Sequence, residues 1–419
     1  MARQIELQPL KKGVASFNLI GKAKVSDFTF KLDVESGKEG SDWVYNKMDL
    51  GVNCGKNGTI YGTLMSGYGT NRKNLVYVHG KKEVDGQIRD DMTKQFTIAW
   101  EDRFDEDILE NIGDMCFITV GIEKDVDDKT LYKKFLTPYD AIEYISNYLK
   151  DGDVINVKGN LKWQEYNDKI QYSKEITSIA LSKAEEKDYK ATFTQTILVD
   201  SNSIGKVDRD TMTISIDGYV VENLRNYKGQ VITRNVENRV VNGANLPLLK
   251  SFEIEINPDD KEKINKMLKQ FKTKPKKVNQ IVVDGYFARG NVETTTVSED
   301  DIPDDIKELI ELGYVDKEEI INKIAFANGD KKPEKMFIKS PHIKIKKGEV
   351  PSIDKVIDMY SDDDINIDLI LERCNTKLTD DLKPSKKETS ISEDEALNMA
   401  LNNDDDNDKD DNADWLSDL

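Results

Sequence analysis

Apolar and polar positions alternate along much of the first 345 residues, and at two places the alternation gives way to a helical period. From Thr137 to Leu181 the order is clearest. Thr137-Pro138-Tyr139-Asp140 offers a capping hydroxyl, a proline whose missing donor costs nothing there, and an acid placed to reach back. Ala141, Ile142, Ile145, Tyr148 and Leu149 then make one apolar helical stripe. Asp151-Gly152-Asp153 stops that helix. Ile155, Val157, Gly159, Leu161 and Trp163 follow, alternating with Asn156, Lys158, Asn160 and Lys162 as in a half-buried strand. A polar turn at Asn167-Asp168 predicts a hairpin into a second strand, Ile170–Leu181. Upstream, Ala15–Leu32 reads as one long strand. Trp43–Val52, Thr59–Met65, Leu75–Val78, Gln95–Trp100 and Met115–Ile122 follow, with turns at Ser66-Gly67-Tyr68-Gly69 and Lys81–Asp91.

After a charged hinge at Ala184–Tyr189 the order begins again. Strand patterns at Thr192–Val199, Thr211–Val221, Gln230–Val241 and Ser251–Ile256 precede a second cap with proline, Asn257-Pro258-Asp259-Asp260. Ile264, Met267, Leu268 and Phe271 form a helical stripe, and Gln280–Phe287 and Met336–Ile345 close the unit. Val157-Lys158-Gly159-Asn160-Leu161 finds its echo in Val283-Asp284-Gly285-Tyr286-Phe287. Several strands, a helix, then strand, hairpin and strand is the order of an OB-fold, a Greek-key barrel. The pattern predicts a mainly β chain with α elements: two tandem OB-fold domains at residues 10–184 and 190–350, with two unrelated α+β domains as the alternative. An insertion at 291–335, with helical stretches Ile302–Leu312 and Lys317–Phe326, falls in the loop between the last two strands of the second unit. It reads as a lid, a partner-docking element or a tolerated surface loop. Beyond Lys347 strand patterning fades. Residues 351–401 read as a partly ordered linker, with a short helix within Asp354–Leu371, and 402–419 as a disordered acidic tail too poor in apolar residues to fold.

Composition narrows the chemistry. The 419 residues carry a net charge of −18, and residues 391–419 hold eleven acids against one lysine, so −10 of that total sits there. An acidic body argues against tight nonspecific duplex binding, which needs clustered cations, but leaves room for a local basic groove. Three dispersed cysteines (Cys54, Cys116, Cys374) and two histidines (His79, His342) suggest neither a disulfide scaffold nor a zinc site. The chain has no long apolar run and no secretory-type leader, so it reads as soluble and cytoplasmic, without membrane contact. No phosphate-binding Gly-Lys-Ser/Thr loop, GxSxG or HExxH occurs, so neither catalysis nor a cofactor is expected. The Asp362-Asp363-Asp364 run is a Mg²⁺ candidate, though solvated charge is the commoner reason for such runs.

Single-strand binding needs positive charge beside flat side chains on which bases lie. Lys158, Lys162, Lys169 and Lys174 lie close in sequence to Trp163, Tyr166 and Tyr172 on the predicted closing hairpin. Trp163 shares the parity of the core, so a buried role stands beside the stacking one, whereas Tyr166 belongs at the hairpin tip. Tyr61 lies opposite Ile60 and Leu64 on a central strand, with Tyr77 and Tyr68 as lesser candidates, and Trp100 takes core parity. In the second unit Tyr286 is out of phase with its apolar neighbours and Arg289 follows it. Lys261, Lys263, Lys266, Lys269, Lys272, Lys274, Lys276 and Lys277 form the densest basic run, either a solvated helix face or a groove wall.

The chain ends Asp414-Trp415-Leu416-Ser417-Asp418-Leu419, apolar anchors on an acidic leash. This ending, together with tandem barrels, resembles the OB-fold single-stranded DNA-binding proteins of bacteria and tailed phages, and most of all the tails of phage helix-destabilising proteins. It departs from the bacterial tip, which ends Ile-Pro-Phe. The resemblance implies coating of single-stranded DNA with little sequence preference during replication and recombination, and recruitment of replication and recombination proteins through Trp415, Leu416 and Leu419. The rival readings are an acidic adaptor or DNA mimic that binds only protein, and a metal-dependent nuclease or repair factor.

Overall fold

A computed structural model of the protein describes residues 7–374, apart from 167–168, 210, 237–238, 258–260, 290–301, 304–305, 308–309, 311–333 and 346–349. The acidic tail with Trp415, Leu416 and Leu419, and nearly all of the 291–335 insertion, lie outside the described residues.

The first barrel begins with β1 (Ala15–Lys24), β2 (Phe30–Glu35), β3 (Trp43–Asn53) and β4 (Thr59–Gly69). An insertion follows: the hairpin β5 (Leu75–Val84) and β6 (Gln87–Ala99), the short helix α1 (Glu106–Leu109), and the pair β7 (Ile118–Lys124) and β8 (Thr130–Phe135). Helix α2 (Pro138–Tyr148) then leads into β9 (Val154–Tyr166) and β10 (Lys169–Leu181). β1 pairs with β3, β3 with β4, β4 runs parallel to β10, β10 pairs with β9, and β9 returns to β1. This closed five-stranded order, with a helix ahead of its fourth strand, is that of an OB-fold. Its interior is what the alternation requires: Leu50, Val52, Ile60, Ile155, Val157 and Leu161 are all at 0% exposure.

Two sequence expectations change here. Ala15–Leu32 is not one strand, because the chain turns after Lys24 and β2 folds back on β3. The apolar stretches at 75–78 and 95–100 do not enter the barrel wall, whereas β7 runs parallel beside β10 and its Ile118, Val120 and Ile122 join the main core. β5 and β6 form a separate ribbon with its own core of Val76, Val78, Ile98, Trp100, Phe117 and Tyr139. Lys81–Asp91, expected as a turn, is largely strand. The turn itself is Asp85-Gly86, both at positive φ (53° and 73°), as a two-residue hairpin needs. Tyr68 packs into the same cluster against Trp100 and Tyr139, at ring separations of 5.4 and 5.6 Å, and is lost as a ligand candidate. Thr137 caps α2 as expected, and Asp140 reaches back to the Thr137 hydroxyl rather than to its backbone amide. It takes the Thr137 hydroxyl at 2.6 Å and a two-pronged contact from Arg103 at 2.9 and 3.1 Å.

The second unit runs β11 (Lys190–Val199), β12 (Ile204–Asp208) and β13 (Thr213–Leu224). The small hairpins β14 (Asn226–Tyr227) with β15 (Gln230–Val231) and β16 (Thr233–Val236) with β17 (Arg239–Asn242) come next. They are followed by β18 (Ala244–Glu255), α3 (Lys261–Phe271), β19 (Lys277–Arg289) and β20 (Glu334–Pro341). The closure repeats: β11–β13, β13–β18, β18 parallel to β20, β20–β19 and β19–β11. The echo between the units extends to a bulge. The register slips opposite Lys158-Gly159 in one barrel and at Asp284-Gly285 in the other. At each glycine a Cβ would meet a backbone oxygen and a phenylalanine ring: Glu175 O at 1.9 Å and Phe17 at 2.7 Å, or Phe337 O at 2.2 Å and Phe193 at 2.3 Å. Only glycine fits so close an approach.

Strands do not end at Lys347, although the alternating pattern does. β21 (Ile343–Lys344) pairs with β22 (Ser352–Ile353), β23 (Lys355–Ser361) pairs with β19, and α4 (Ile367–Cys374) follows. β23 is short and only Tyr360 in it is buried, so it lacks the apolar alternation that would announce it. Asp364 is not a metal ligand in waiting. It is buried and accepts from the amides of Gln8 (2.6 Å) and Ser361 (2.8 Å), tying the start of the described chain to its end.

The barrels are joined edge to edge. β1 pairs antiparallel with β11 from Ala15↔Gln195 to Ile20↔Lys190. Beside this seam lies a chain of rings: Trp163 to Tyr172 at 4.9 Å, Tyr172 to Phe287 at 6.1 Å, Phe287 to Phe193 at 5.2 Å and Phe193 to Phe252 at 6.3 Å.

Candidate nucleic-acid interface

The ligand face of an OB-fold is the outer surface of its second and third strands with the flanking loops, here β3 and β4. Tyr61 on β4 stands opposite Gly51 on β3, which stands opposite Lys24 on β1. A Cβ at Gly51 would come within 3.1 Å of Tyr61 Cε1 and 3.4 Å of Lys24 Cβ, so the glycine makes room for the tyrosine ring beside Lys24. The guanidinium of Arg289, the last residue of β19, lies 5.4 Å from the Tyr61 ring centroid. A cation over an aromatic face is attracted by the ring quadrupole. The second barrel therefore completes the first barrel's face.

The turn at Gly55–Asn57 holds this junction. Asn57 Nδ2 donates to the Phe287 carbonyl at 2.8 Å, and a Cβ at Gly58 would sit 2.8 Å from the Arg289 carbonyl. The sheet that carries Tyr61 also presents the exposed cations Lys22 and Lys24 on β1 and Lys31 on β2, with Lys56 in the turn before β4, while Lys47 is paired with Asp49 at 3.2 Å. Sequence reasoning missed all five lysines. Parity held the signal for Lys22 and Lys24, which fall out of phase with Leu19, Gly21 and Ala23.

The other predicted residues are scattered. Tyr286 stacks on Phe337 (5.1 Å, 10° between planes), and burial and the neighbouring Glu255 carboxylate raise its phenol pKa. Tyr77 is 57% exposed but belongs to the β5–β6 ribbon, outside the barrel sheet. Lys158 is exposed on β9, Lys162 pairs with Glu175 at 3.3 Å, and Tyr166 faces Lys169 across the hairpin end.

Trp163, Tyr172 and Lys174 come together, but inside the seam between barrels, which corrects their assignment to a binding surface. Trp163 is 2% exposed, and its Nε1–H donates to Gln195 at 3.1 Å. Lys174 is buried in an ion pair with Glu334, beneath the Tyr172 and Phe287 rings at 4.8 and 4.7 Å. Burial first, and Glu334 second, push the Tyr172 phenol well above its ordinary range. One barrel's alternation assigns these residues a face; it cannot show that a second barrel covers it.

Barrel two presents a different face in the same place. On β13 and β18 the outward positions include Asp217, Ser251, Glu253 and Glu255, and Lys335 pairs with Glu253 at 2.7 Å. Among the described residues no helix is long and apolar enough to cross a membrane, and no group of three or more His, Cys, Asp or Glu side chains is placed to hold a metal ion.

A family model for YorF matches residues 119–368, from β7 of the first barrel into α4, and the chain belongs to the YorF family. Among solved structures it is similar to the wild-type single-stranded DNA-binding protein from Thermus aquaticus. Identity is 10% over 67% of this chain and 87% of that one, with a TM-score of 0.27. A deletion mutant of the same Thermus protein matches at 10% identity over 67% and 88%, with a TM-score of 0.25. At that distance the likeness carries no argument, and the barrel assignment rests on strand order. No curated protein matches the sequence.

Proposed function

We propose that this protein binds single-stranded DNA across the outer face of β3 and β4. Tyr61 and Arg289 engage bases there, and Lys22, Lys24, Lys31 and Lys56 meet phosphates. Arg289 over Tyr61, drawn from different barrels onto the face that OB-folds use, is the observation that carries the reading. Stacking on an aromatic ring tolerates any base, so the proposed binding has little sequence preference. The chemistry is capture rather than turnover, in replication and recombination of phage or bacterial DNA, with the acidic tail and Trp415, Leu416 and Leu419 recruiting protein partners. Tyr166, Lys158 and Lys169 extend the proposed contact along the β9–β10 hairpin.

The test is fluorescence anisotropy of labelled oligo-dT with the full chain. Tyr61→Ala is expected to cost about 1–3 kcal/mol of binding, the usual worth of one stacked base. No binding by the wild-type chain at low salt overturns the reading. The acidic face of barrel two favours a second role, a protein-binding adaptor, which the same experiment distinguishes by finding no DNA affinity.

A further inference from the structure

At the base of the β5–β6 ribbon three side chains form a relay unrelated to the barrel face. Cys116 Sγ lies 3.2 Å from Nδ1 of His79, and His79 Nε2 lies 2.7 Å from Asp90 Oδ2. Asp90 is itself fixed by the amides of Asp114 (3.0 Å) and Met115 (2.8 Å). The carboxylate accepts the Nε2 proton, which leaves the Nδ1 lone pair facing the thiol. That is the tautomer a general base needs. The His79 backbone amide donates to Sγ at 3.4 Å, so negative charge developing on sulfur meets a donor already in place. His79 and Asp90 are brought within reach by ribbon pairing, and Cys116 by the turn that packs beneath it.

The other two cysteines serve as contrasts. Cys54 is wholly buried, its thiol pushed up to about 12 by burial, and Cys374 is buried as well. Cys116 is only half-buried, beside Met115 at 74% exposure, so a small electrophile can approach it. Burial also raises the Cys116 thiol, so at rest it keeps its proton and needs a base to react.

We infer that Cys116 is a base-assisted nucleophilic thiol, a modification site for low-molecular-weight disulfides. In the step, Sγ attacks one sulfur of the disulfide as its proton passes to His79 Nδ1. An Sγ–S bond forms, the reagent's S–S bond breaks, and the departing thiolate takes the proton from His79. Asp90 is a positioning residue, holding the imidazole and balancing its transient charge.

The native full-length protein is treated with dithiodipyridine, and the adduct is located by peptide mass. Cys116 is expected to react ahead of Cys54 and Cys374. It is also expected to react faster in the native protein than after unfolding in urea at the same pH. His79→Gln is expected to slow Cys116 by about tenfold or more, a modest share of what a positioned base contributes, and Asp90→Asn by less. Melting temperatures of the variants separate loss of reactivity from loss of fold. If His79→Gln does not fold, the native-versus-unfolded comparison decides alone. A native Cys116 no faster than the unfolded thiol, or a folded His79→Gln that reacts at the wild-type rate, overturns the assignment.

Discussion

The two barrels share a strand order, a helix position and a glycine bulge, yet their equivalent faces carry opposite character. On barrel one, Lys24 stands across β3 from Tyr61 and Lys22 across from Thr59, while Lys31 lies on β2 and Lys56 in the turn before β4. On barrel two, Asp217, Glu253 and Glu255 occupy the corresponding strands, and Tyr286 lies against Phe337 rather than over an open lysine-rich surface. Inward positions set the topology because burying apolar area drives the closure. Outward positions are left to set what each face attracts. A duplicated fold can therefore keep its core and divide its surface between tasks.

The comparison breaks most severely at the seam. Trp163→Ala removes a buried ring that touches both barrels and is expected to destabilise by about 3–5 kcal/mol, as buried aromatic truncations do. Urea unfolding followed separately in each barrel should show both weakened, and loss confined to barrel one would mean that the seam does not couple them. Glu334→Ala leaves Lys174 buried without its partner and is expected to cost about 3 kcal/mol, near the lower end for a broken buried pair. Lys174→Met with Glu334→Leu should recover most of that loss, read as the urea midpoint.

Smaller effects sharpen the division of faces. Arg289→Ala is expected to weaken oligo-dT binding by about 1 kcal/mol, in the range of a partly desolvated cation over a ring, while Tyr286→Ala leaves affinity unchanged. Equal losses from the two would show that both barrels take DNA. Lys24→Glu should flatten the salt dependence by about 0.7 in log–log slope, the share of one phosphate contact on a single strand. Glu253→Lys should leave that slope unaltered if barrel two stands apart from the strand.

The smallest effect concerns acid. Burial pushes the Asp364 carboxyl upward, but amides of Gln8 and Ser361 and the Ser361 hydroxyl outweigh it, and its pKa is lowered overall. A depressed folded pKa contributes stability that is present above the ordinary carboxylate range and lost as pH falls through the folded value. Asp364→Asn should therefore melt below wild type at neutral pH, with the gap narrowing under acid.

Much of the fold was legible because period-two alternation reports a half-buried strand directly. Val157 to Leu161 and Val283 to Phe287 revealed the repeat, and α2 and α3 fell where their stripes placed them. The β5–β6 ribbon escaped because its strands alternate like barrel strands while pairing only with each other. β23 escaped because it leans on β19 with little apolar alternation of its own. At the candidate site, Tyr61 and Arg289 were legible singly, but their meeting was not, since 228 positions separate them. The relay of Cys116, His79 and Asp90 was hidden because only the pairing of β5 with β6, and the turn at Cys116 packed against it, bring the three side chains together.

By itself, then, the sequence determined the β class, the repeat and the parity of each strand, because these follow from local hydrophobic periodicity. Only the tertiary structure decided which outward residues stay outward. Pairing of β1 with β11 turned Trp163, Tyr172 and Lys174 inward and carried Arg289 over Tyr61. A strand's pattern records that a face is covered or bare, but what covers it depends on contacts between residues far apart in the chain.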